Sequence, residues 1–312
     1  MYCFCTLAVG EEYRILAKKL AKDIELNCPG TDFLVITDKK EDFSDRLNTK
    51  PFDYRPVFPN IVYDKIFAAE KALARYESVV YIDADSRIYG KITQEPEFLP
   101  GLTALSCHRL TKNFEGRLDK ERAIPLPVGI GSMSRFNPIK YMRIINFLRL
   151  KNKITKKLSN KLRVLQKLAA KLKVDMQNTK FVHEIFFVLT KQGGIEKEFF
   201  RQYDRIARYL QLHGFSDAEG CAIGLAAEKS NFTVMHDEGL NKNFYYFKDR
   251  ILDSKIKKNQ AFDIKELELL NEHKSVVIHP IIKQKIKAHI LKWYLTGKLF
   301  VRTLGEIKFY HF

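Results

Sequence analysis

Residues 78–88 read Ser-Val-Val-Tyr-Ile-Asp-Ala-Asp-Ser-Arg-Ile and set the architecture of the chain. The stretch begins as a run of β-branched and aromatic residues without polar alternation, which predicts a strand buried on both faces. Two carboxylates, Asp83 and Asp85, follow the run directly. Because a buried strand does not accommodate two unpaired charges, we expect the pair at the carboxyl end of the strand, where open α/β sheets bind their ligands.

The two carboxylates of this Asp-x-Asp motif predict a metal site. At positions i and i+2 of an extended backbone they point the same way, so they repel each other unless a positive charge lies between them. A hard divalent cation, Mg²⁺ or Mn²⁺, prefers oxygen ligands and is commonly held by one or two carboxylates plus substrate phosphates. The alternative is an ordinary acidic turn after a strand, since the motif on its own is a weak pattern.

A second stretch of sequence supports the metal-site interpretation of the Asp-x-Asp motif. Residues 63–73, Tyr-Asp-Lys-Ile-Phe-Ala-Ala-Glu-Lys-Ala-Leu, are followed after a short gap by residues 79–85. Together they resemble the core of the GT-A glycosyltransferases, over about the first hundred residues and in outline beyond, without singling out one family. The resemblance implies an α/β fold: a Rossmann-like, mixed but mostly parallel sheet flanked by helices. It also implies that the Asp-x-Asp motif binds the metal and the diphosphate of a nucleotide-sugar.

The resemblance further implies a donor site and a metal site. Residues expected to contact the nucleotide-sugar are Thr6, Leu7, Thr37, Asp38, Lys65, Asp83 and Ala84. Expected metal ligands are Asp83, Asp85 and a late histidine, His279, with His236 as its rival. Lys65 matches a basic position that faces the donor phosphates in the superfamily; the alternative is a solvated lysine.

On the acceptor side, the resemblance implies the carboxylates of Asp217 and Glu219. In an inverting reaction a carboxylate base takes the proton of the acceptor hydroxyl, whereas in a retaining reaction it orients the acceptor or shields positive charge on the sugar. The alternative is a capping box, with Ser216 at the N-cap and Glu219 three residues later. His183 and Glu184 are candidates for acceptor recognition.

The rest of the chain divides by pattern. Residues 1–38 read as strand, helix, strand, which implies a right-handed parallel unit; residues 39–60 read as irregular and 61–76 as a helix. We expect a nucleotide-sugar-binding half over 1–115, a lid loop and basic helical insertion over 116–180, an acceptor-binding half over 181–280, and a basic amphipathic tail over 281–312.

The net charge of +17 predicts an anionic partner. Residues 122–174 contain fourteen Lys or Arg and no acidic residue. Within them, a leucine stripe at helical spacing joins Leu158, Leu162, Leu165, Leu168 and Leu172. Segment 140–173 and the tail predict helices that lie on an anionic membrane surface. A helical hairpin that buries its leucines against the body or a second subunit is the alternative, and the oligomeric state is open.

The five cysteines are too few and too scattered for a disulfide framework, which favours packed, reduced thiols and a cytoplasmic location. No run of about 20 apolar residues predicts a membrane span, and residues 1–9 read as a strand rather than a signal peptide. A cytoplasmic enzyme held peripherally on the inner membrane face is therefore the expectation.

We interpret the chain as a metal-dependent hexosyltransferase that uses a nucleotide-sugar, a UDP-sugar foremost. Its expected acceptor is a glycan or lipid-linked saccharide of surface polysaccharide or lipopolysaccharide synthesis. One alternative is a nucleotidyltransferase, although residues 7–11 contain a single glycine where such enzymes have a glycine-rich loop. The other is a nucleic-acid-binding protein; no reader motif supports it, and nucleic acid is not an expected partner.

Overall fold

A seven-stranded sheet forms the centre of the computed structural model, which describes residues 1–45, 48–88, 90–91, 97–104, 107–111, 156, 158–216, 218–237, 244–246 and 282–311. The strand order is β10-β6-β9-β4-β1-β2-β3. The strands are β1 (Tyr2–Ala8), β2 (Asp32–Thr37), β3 (Thr49–Asp53), β4 (Ser78–Ile82), β6 (Gly101–Ala104), β9 (Phe186–Thr190) and β10 (Val234–His236). Six of them run in one direction, and β9 runs antiparallel between β4 and β6.

Helices cover both faces of the sheet. Helix α1 (Glu11–Asn27) packs against β1 and β2, and α2 (Lys65–Leu73) packs against β1 and β4. Successive side chains of a strand point to opposite faces: Phe4 belongs to the core cluster that includes Leu20 of α1, whereas the thiol of its neighbour Cys5 donates to the carbonyl of Ala68 in α2. The mixed, mostly parallel, helix-flanked sheet predicted from the sequence is therefore confirmed.

Two element assignments in the amino-terminal half were wrong. The segment 39–60, predicted to be irregular, contains β3, which pairs with β2 in parallel register. Pro51 lies within β3, and it is accommodated there because β3 is the edge strand of the sheet. The predicted helix 61–76 begins as a 3-10 turn over Ile61–Asp64, and its α-helical part is limited to α2.

The strand predicted near 181–190 is two strands. β8 (Lys180–Val182) ends before residues 183–185, and β9 begins after them. Helix α4 (Ile195–Leu212) follows β9, and α5 (Glu219–Ser230) follows α4 and packs closely against it. A small antiparallel pair joins β5 (Ser86–Ile88) to β11 (Phe244–Tyr246).

The chain forms two compact units, one made of Met1–Cys107 and Val182–Phe312 and the other of His108–Phe181. The second unit begins and ends in the two-stranded sheet of β7 (Cys107–Arg109) and β8. Its described helix, α3, covers residues 158–172. Three leucines of the predicted stripe, Leu165, Leu168 and Leu172, are buried, which agrees with packing rather than with a membrane-facing surface for this helix. The predicted lid lies outside the described residues.

The described chain ends in α6 (Ile282–Thr303) and α7 (Ile307–His311). Helix α6 packs against α4. In the described residues, no helix is both long and apolar enough to cross a membrane. All five cysteines are free thiols, and four of them are buried, as the sequence predicted.

Candidate functional site

The carboxyl ends of the parallel strands meet at one edge of the sheet and collect most of the predicted site residues. Asp83 and Asp85 follow β4 at this edge. β9 runs the opposite way, so its start lies at the same edge, and Ile82 pairs with Phe186. Glu184 therefore precedes β9 where Asp83 follows β4, and the main chain links the two segments through a hydrogen bond from the Asp83 amide to the Ile185 carbonyl, 3.0 Å long.

Asp83 is buried and is held by a lysine. Lys65, the first residue of α2, lies with Nζ 2.8 Å from Oδ1 and 3.0 Å from Oδ2 of Asp83. The hydroxyl of Tyr81 donates to Oδ1 over 3.3 Å. Burial alone would lower the pKa of Lys65, but the carboxylates of Asp83, Glu219 and Glu184 outweigh burial and raise it. Lys65 is thus a half-buried lysine whose charged form is favoured by the surrounding carboxylates.

The turn after Asp83 is rigidly placed. The amide of Ser86 donates to the carbonyl of Asp83 over 2.9 Å. Arg87 then makes a bidentate pair with Asp23 of α1, with Nε 2.6 Å and Nη2 2.9 Å from its two oxygens. This clamp fixes the backbone on the far side of Asp85, so both ends of the Asp-x-Asp turn are anchored.

Asp85 is less buried than Asp83 and lies near Tyr13 of α1. Burial, followed by the charges of Asp85, Glu12 and Asp83, raises the pKa of the Tyr13 phenol. The sequence reasoning did not identify Tyr13. The signal for it is its place in the first turn of the helix that follows β1, because such a helix begins at the carboxyl edge of the sheet.

Buried Glu219 and half-buried Glu184 form a pair of acids beside Lys65. Glu219 is the first residue of α5 and is buried. Burial, then the like charge of Glu184, raises the pKa of Glu219, and the charge of Lys65 opposes this. The amino terminus of a helix also favours a negative charge. Two acids and one lysine therefore share a poorly solvated space, in which one carboxyl keeps a proton more readily than an exposed acid does.

The capping-box alternative for Glu219 was wrong. Helix α5 begins at Glu219 itself, its N-cap is Ala218, and no side chain caps it. Ser216 instead accepts a hydrogen bond through its carbonyl oxygen from the side-chain amide of Asn60. A glutamate at the first helical position is too early for the reciprocal bond of a capping box.

Mg²⁺ and Mn²⁺ prefer oxygen ligands. Asp83 and Asp85 supply oxygen donors, which suit these ions. Among the described residues, no group of three His, Cys, Asp or Glu is arranged to hold a metal, and Lys65 contacts both oxygens of Asp83. Two carboxylates alone leave most coordination positions of such an ion to other ligands, and Asp85 is the more accessible of the two.

The remaining predicted donor residues are unevenly placed. Thr6, Thr37 and Ala84 are buried, and the Thr6 hydroxyl has no hydrogen-bond partner among the described residues. Thr37 accepts from the amide of Lys39. Leu7 is half-buried in β1. Asp38 is exposed after β2 and accepts hydrogen bonds from the Gly10 amide and from Arg14. Asp38 is therefore the best exposed of these five, at the loop that joins β1 to α1.

The roles assigned to the histidines and to the acceptor-side residues remain predictions. Asp217 and His279 lie outside the described residues. His236 ends β10, three strands away from β4 in the sheet order, and its Nδ1 accepts a hydrogen bond from the Cys107 amide over 3.3 Å. His183 is half-buried beside Glu184.

A cavity of about 600 Å³ lies between β3 and α2 and shares no lining residue with the carboxylate cluster described above. Asp64 lies in its wall and is buried. Its Oδ2 accepts a 2.5 Å hydrogen bond from the Tyr54 hydroxyl, and its Oδ1 has no hydrogen-bond partner within the described part of the chain. Burial raises the pKa of Asp64 to about 7.

Comparisons with known proteins give a distant likeness. No protein-family model and no curated protein matches this sequence. One similar solved structure is galactosyltransferase LgtC in complex with donor and acceptor sugar analogs, with 12% identity over 96% of each chain and a TM-score of 0.43. Another is an active-site mutant of LgtC, with 14% identity over 76% of this chain and 72% of that chain and a TM-score of 0.42. At such TM-scores the likeness carries no argument about activity.

Proposed function

We propose that this chain is a metal-dependent glycosyltransferase that transfers a hexose from a nucleotide-sugar, a UDP-sugar foremost, to a glycan or lipid-linked saccharide. The observation that carries the proposal is the convergence of three carboxylates on one lysine. Asp83 contacts Lys65 directly, and Glu219 and Glu184 are near enough for their charges to raise its pKa. Asp85 follows Asp83 by two residues at the end of β4. Transfer of a sugar needs two regions, one for a departing diphosphate and one for an incoming hydroxyl.

On the donor side, Asp83 and Asp85 would hold Mg²⁺ or Mn²⁺. The ion supplies charge neutralisation of the diphosphate as the bond to the sugar breaks. Lys65, whose charged form the nearby carboxylates favour, would add a positive charge next to the same phosphates. Tyr13 lies in the first turn of α1, directly after the loop between β1 and α1, and Asp38 accepts a hydrogen bond from Gly10 in that loop. We place the nucleoside beside this loop, with the Tyr13 ring available for stacking on the base.

On the acceptor side, Glu219 and Glu184 would meet the acceptor hydroxyl, with Asp217 and His183 as further contacts. In an inverting reaction, the ionised member of the pair removes the proton of that hydroxyl. In a retaining reaction, the pair orients the hydroxyl and stabilises positive charge that develops on the sugar. The anomeric configuration of the product, read by NMR, distinguishes these two courses.

Donor turnover tests the proposal. The full chain is incubated with a panel of nucleotide-sugars, with Mn²⁺, Mg²⁺ or excess EDTA, and release of the nucleoside diphosphate is measured. We expect metal-dependent release from one donor, loss of release in Asp85→Asn, and no loss in Asp45→Asn, a matched change at an exposed aspartate. Release of the nucleoside diphosphate that persists in excess EDTA contradicts the metal requirement. Pyrophosphate formation from a nucleoside triphosphate and a sugar phosphate, without transfer, supports a nucleotidyltransferase instead.

A further inference from the structure

Helix α6 has two apolar faces, and the inner one packs against the protein. Leu295, Leu299 and Thr303, spaced by four residues, are buried on the inner face, where α6 contacts α4. The outer face is a second apolar stripe at helical spacing whose residues have exposed fractions between 54% and 72%. It consists of Ile286, Ile290, Trp293, Tyr294 and Val301.

The amino-terminal half of α6 has little support from the body of the protein. Every residue from 288 to 294 is exposed, including Leu291, Trp293 and Tyr294. A helical segment this short is marginal in water without tertiary contacts. Its large exposed apolar side chains form one contiguous stripe, and such stripes mark interaction surfaces. The outer face of α6 is therefore a surface that needs a partner.

The charge of α6 indicates the chemistry of that partner. The helix sequence contains six Lys or Arg residues and no acidic residue. Lys292 and Lys298 are exposed in the described part of the helix. A second copy of α6 would bring two such basic helices together without an opposing charge. Nucleic acid would attract the lysines but would leave the apolar stripe in water.

We propose that the outer face of α6 docks on an anionic membrane surface, with its axis in the plane of the interface. This inference goes beyond the proposed function and does not depend on it. A basic helix with aromatic and aliphatic residues on one side inserts that side into the boundary between headgroups and acyl chains. Trp293 and Tyr294 combine an apolar ring with a polar group, a combination that is favoured at this depth. The buried leucines of α3 leave α6 as the apolar docking face.

Trp293 makes the proposal directly testable, because it is the only tryptophan in the chain. We expect anionic vesicles, of phosphatidylglycerol mixed with phosphatidylcholine, to shift Trp293 emission to the blue and protect it from acrylamide. Vesicles of phosphatidylcholine alone should do so much less, and added salt should reverse the effect. Flotation of the full chain with the same vesicles measures binding independently. Flotation without any change in Trp293 emission would overturn the assignment to α6.

Variants on the same helix give a second test. Ile290→Glu combined with Val301→Glu keeps Trp293 and places two charges on the outer face. We expect at least about a tenfold loss of vesicle partitioning. The matched control is Leu26→Glu combined with Leu99→Glu, because these leucines are equally exposed, at 61% and 65%; this control should bind like the wild type. Equal partitioning of both double variants, or concentration-dependent dimers that the α6 variant abolishes without any vesicle binding, would overturn the proposal.

Discussion

Lys65 contacts both carboxylate oxygens of Asp83, at 2.8 Å from Oδ1 and 3.0 Å from Oδ2. A cation that binds Asp83 must therefore share these oxygens with Lys65 or displace it. A displaced Lys65 ammonium could pair with Glu219 or Glu184 instead, since both carboxylates also attract it. Lys65 thus connects the two halves of the candidate site, and a substitution in one half should alter the electrostatics of the other.

Loss of Asp85 should remove activity without changing the fold. We expect Asp85→Ala to reduce transfer by at least about a hundredfold, in line with the loss of a principal electrostatic contact in the transition state. Asp83→Ala should be similarly inactive. The measurements are steady-state transfer and calorimetric binding of the metal with the nucleoside diphosphate. Near-normal turnover of either variant in excess EDTA would refute the metal site.

The same two variants should differ in stability. Asp83→Ala leaves the ammonium of half-buried Lys65 without its closest partner, which should lower the free energy of unfolding by about 3 kcal/mol. Asp85→Ala should change it by less than about 0.5 kcal/mol. Denaturant titration measures both values. Adding Lys65→Met to Asp83→Ala should recover most of the loss, and equal stability of the two single variants would contradict the pairing.

The role of Glu219 can be separated from a structural role. We expect Glu219→Gln to lose most transfer activity while nucleotide affinity stays unchanged. Its melting temperature at pH 8 should stay equal or rise, because glutamine removes a charge from a pair of acids. Glu198→Gln, at an exposed and salt-bridged position on α4, is the matched control. A lower melting temperature with activity retained would assign Glu219 a structural role.

Asp64 should make stability depend on pH between about 4 and 7. Its folded pKa, about 7, lies above the ordinary value of 3.8, so the folded state binds the proton more tightly than the unfolded state. The contribution is complete below pH 4 and is lost as pH rises through 7. In Asp64→Asn this loss, on the order of 3 kcal/mol, should disappear. Denaturant midpoints at pH 4.5 and 7.5 measure it, and an unchanged difference between these midpoints would exclude Asp64 as the cause.

The sequence predicts the parts of this molecule that depend on local pattern. The apolar run of β4, the helical spacing of α1 and the position of Asp83 after a buried strand all follow from residue order. The partners of buried charges do not, because Lys65 and Asp83 meet only after α2 has packed on the sheet. From sequence alone, removing either of two repelling aspartates looks harmless; the contact with Lys65 changes this expectation for Asp83.

Other features escaped prediction for comparable reasons. Pro51 argues against a strand, and only the edge position of β3 makes it acceptable there. Helix α5 starts at Glu219 rather than directly after Ser216. The Ser216 carbonyl accepts a hydrogen bond from Asn60, a distant residue that no local pattern connects to this helix. Tyr13 looks like an ordinary surface residue of an amphipathic helix until Asp83 and Asp85 are placed near it.

The antiparallel strand β9 has a consequence for how the chain is made. Within the described residues, β6 pairs with β9 and β10, and the edge of β4 that faces away from β1 pairs with β9. Both partners of β6 leave the ribosome after it does. During synthesis, β6 therefore has no strand to pair with until β9 is made. Over the same period, the edge of β4 that will pair with β9 is unpaired, while the basic segment is being synthesised. Unpaired edges are the usual starting points of aggregation. The nascent chain passes through its most vulnerable state between completion of β6 and arrival of β9.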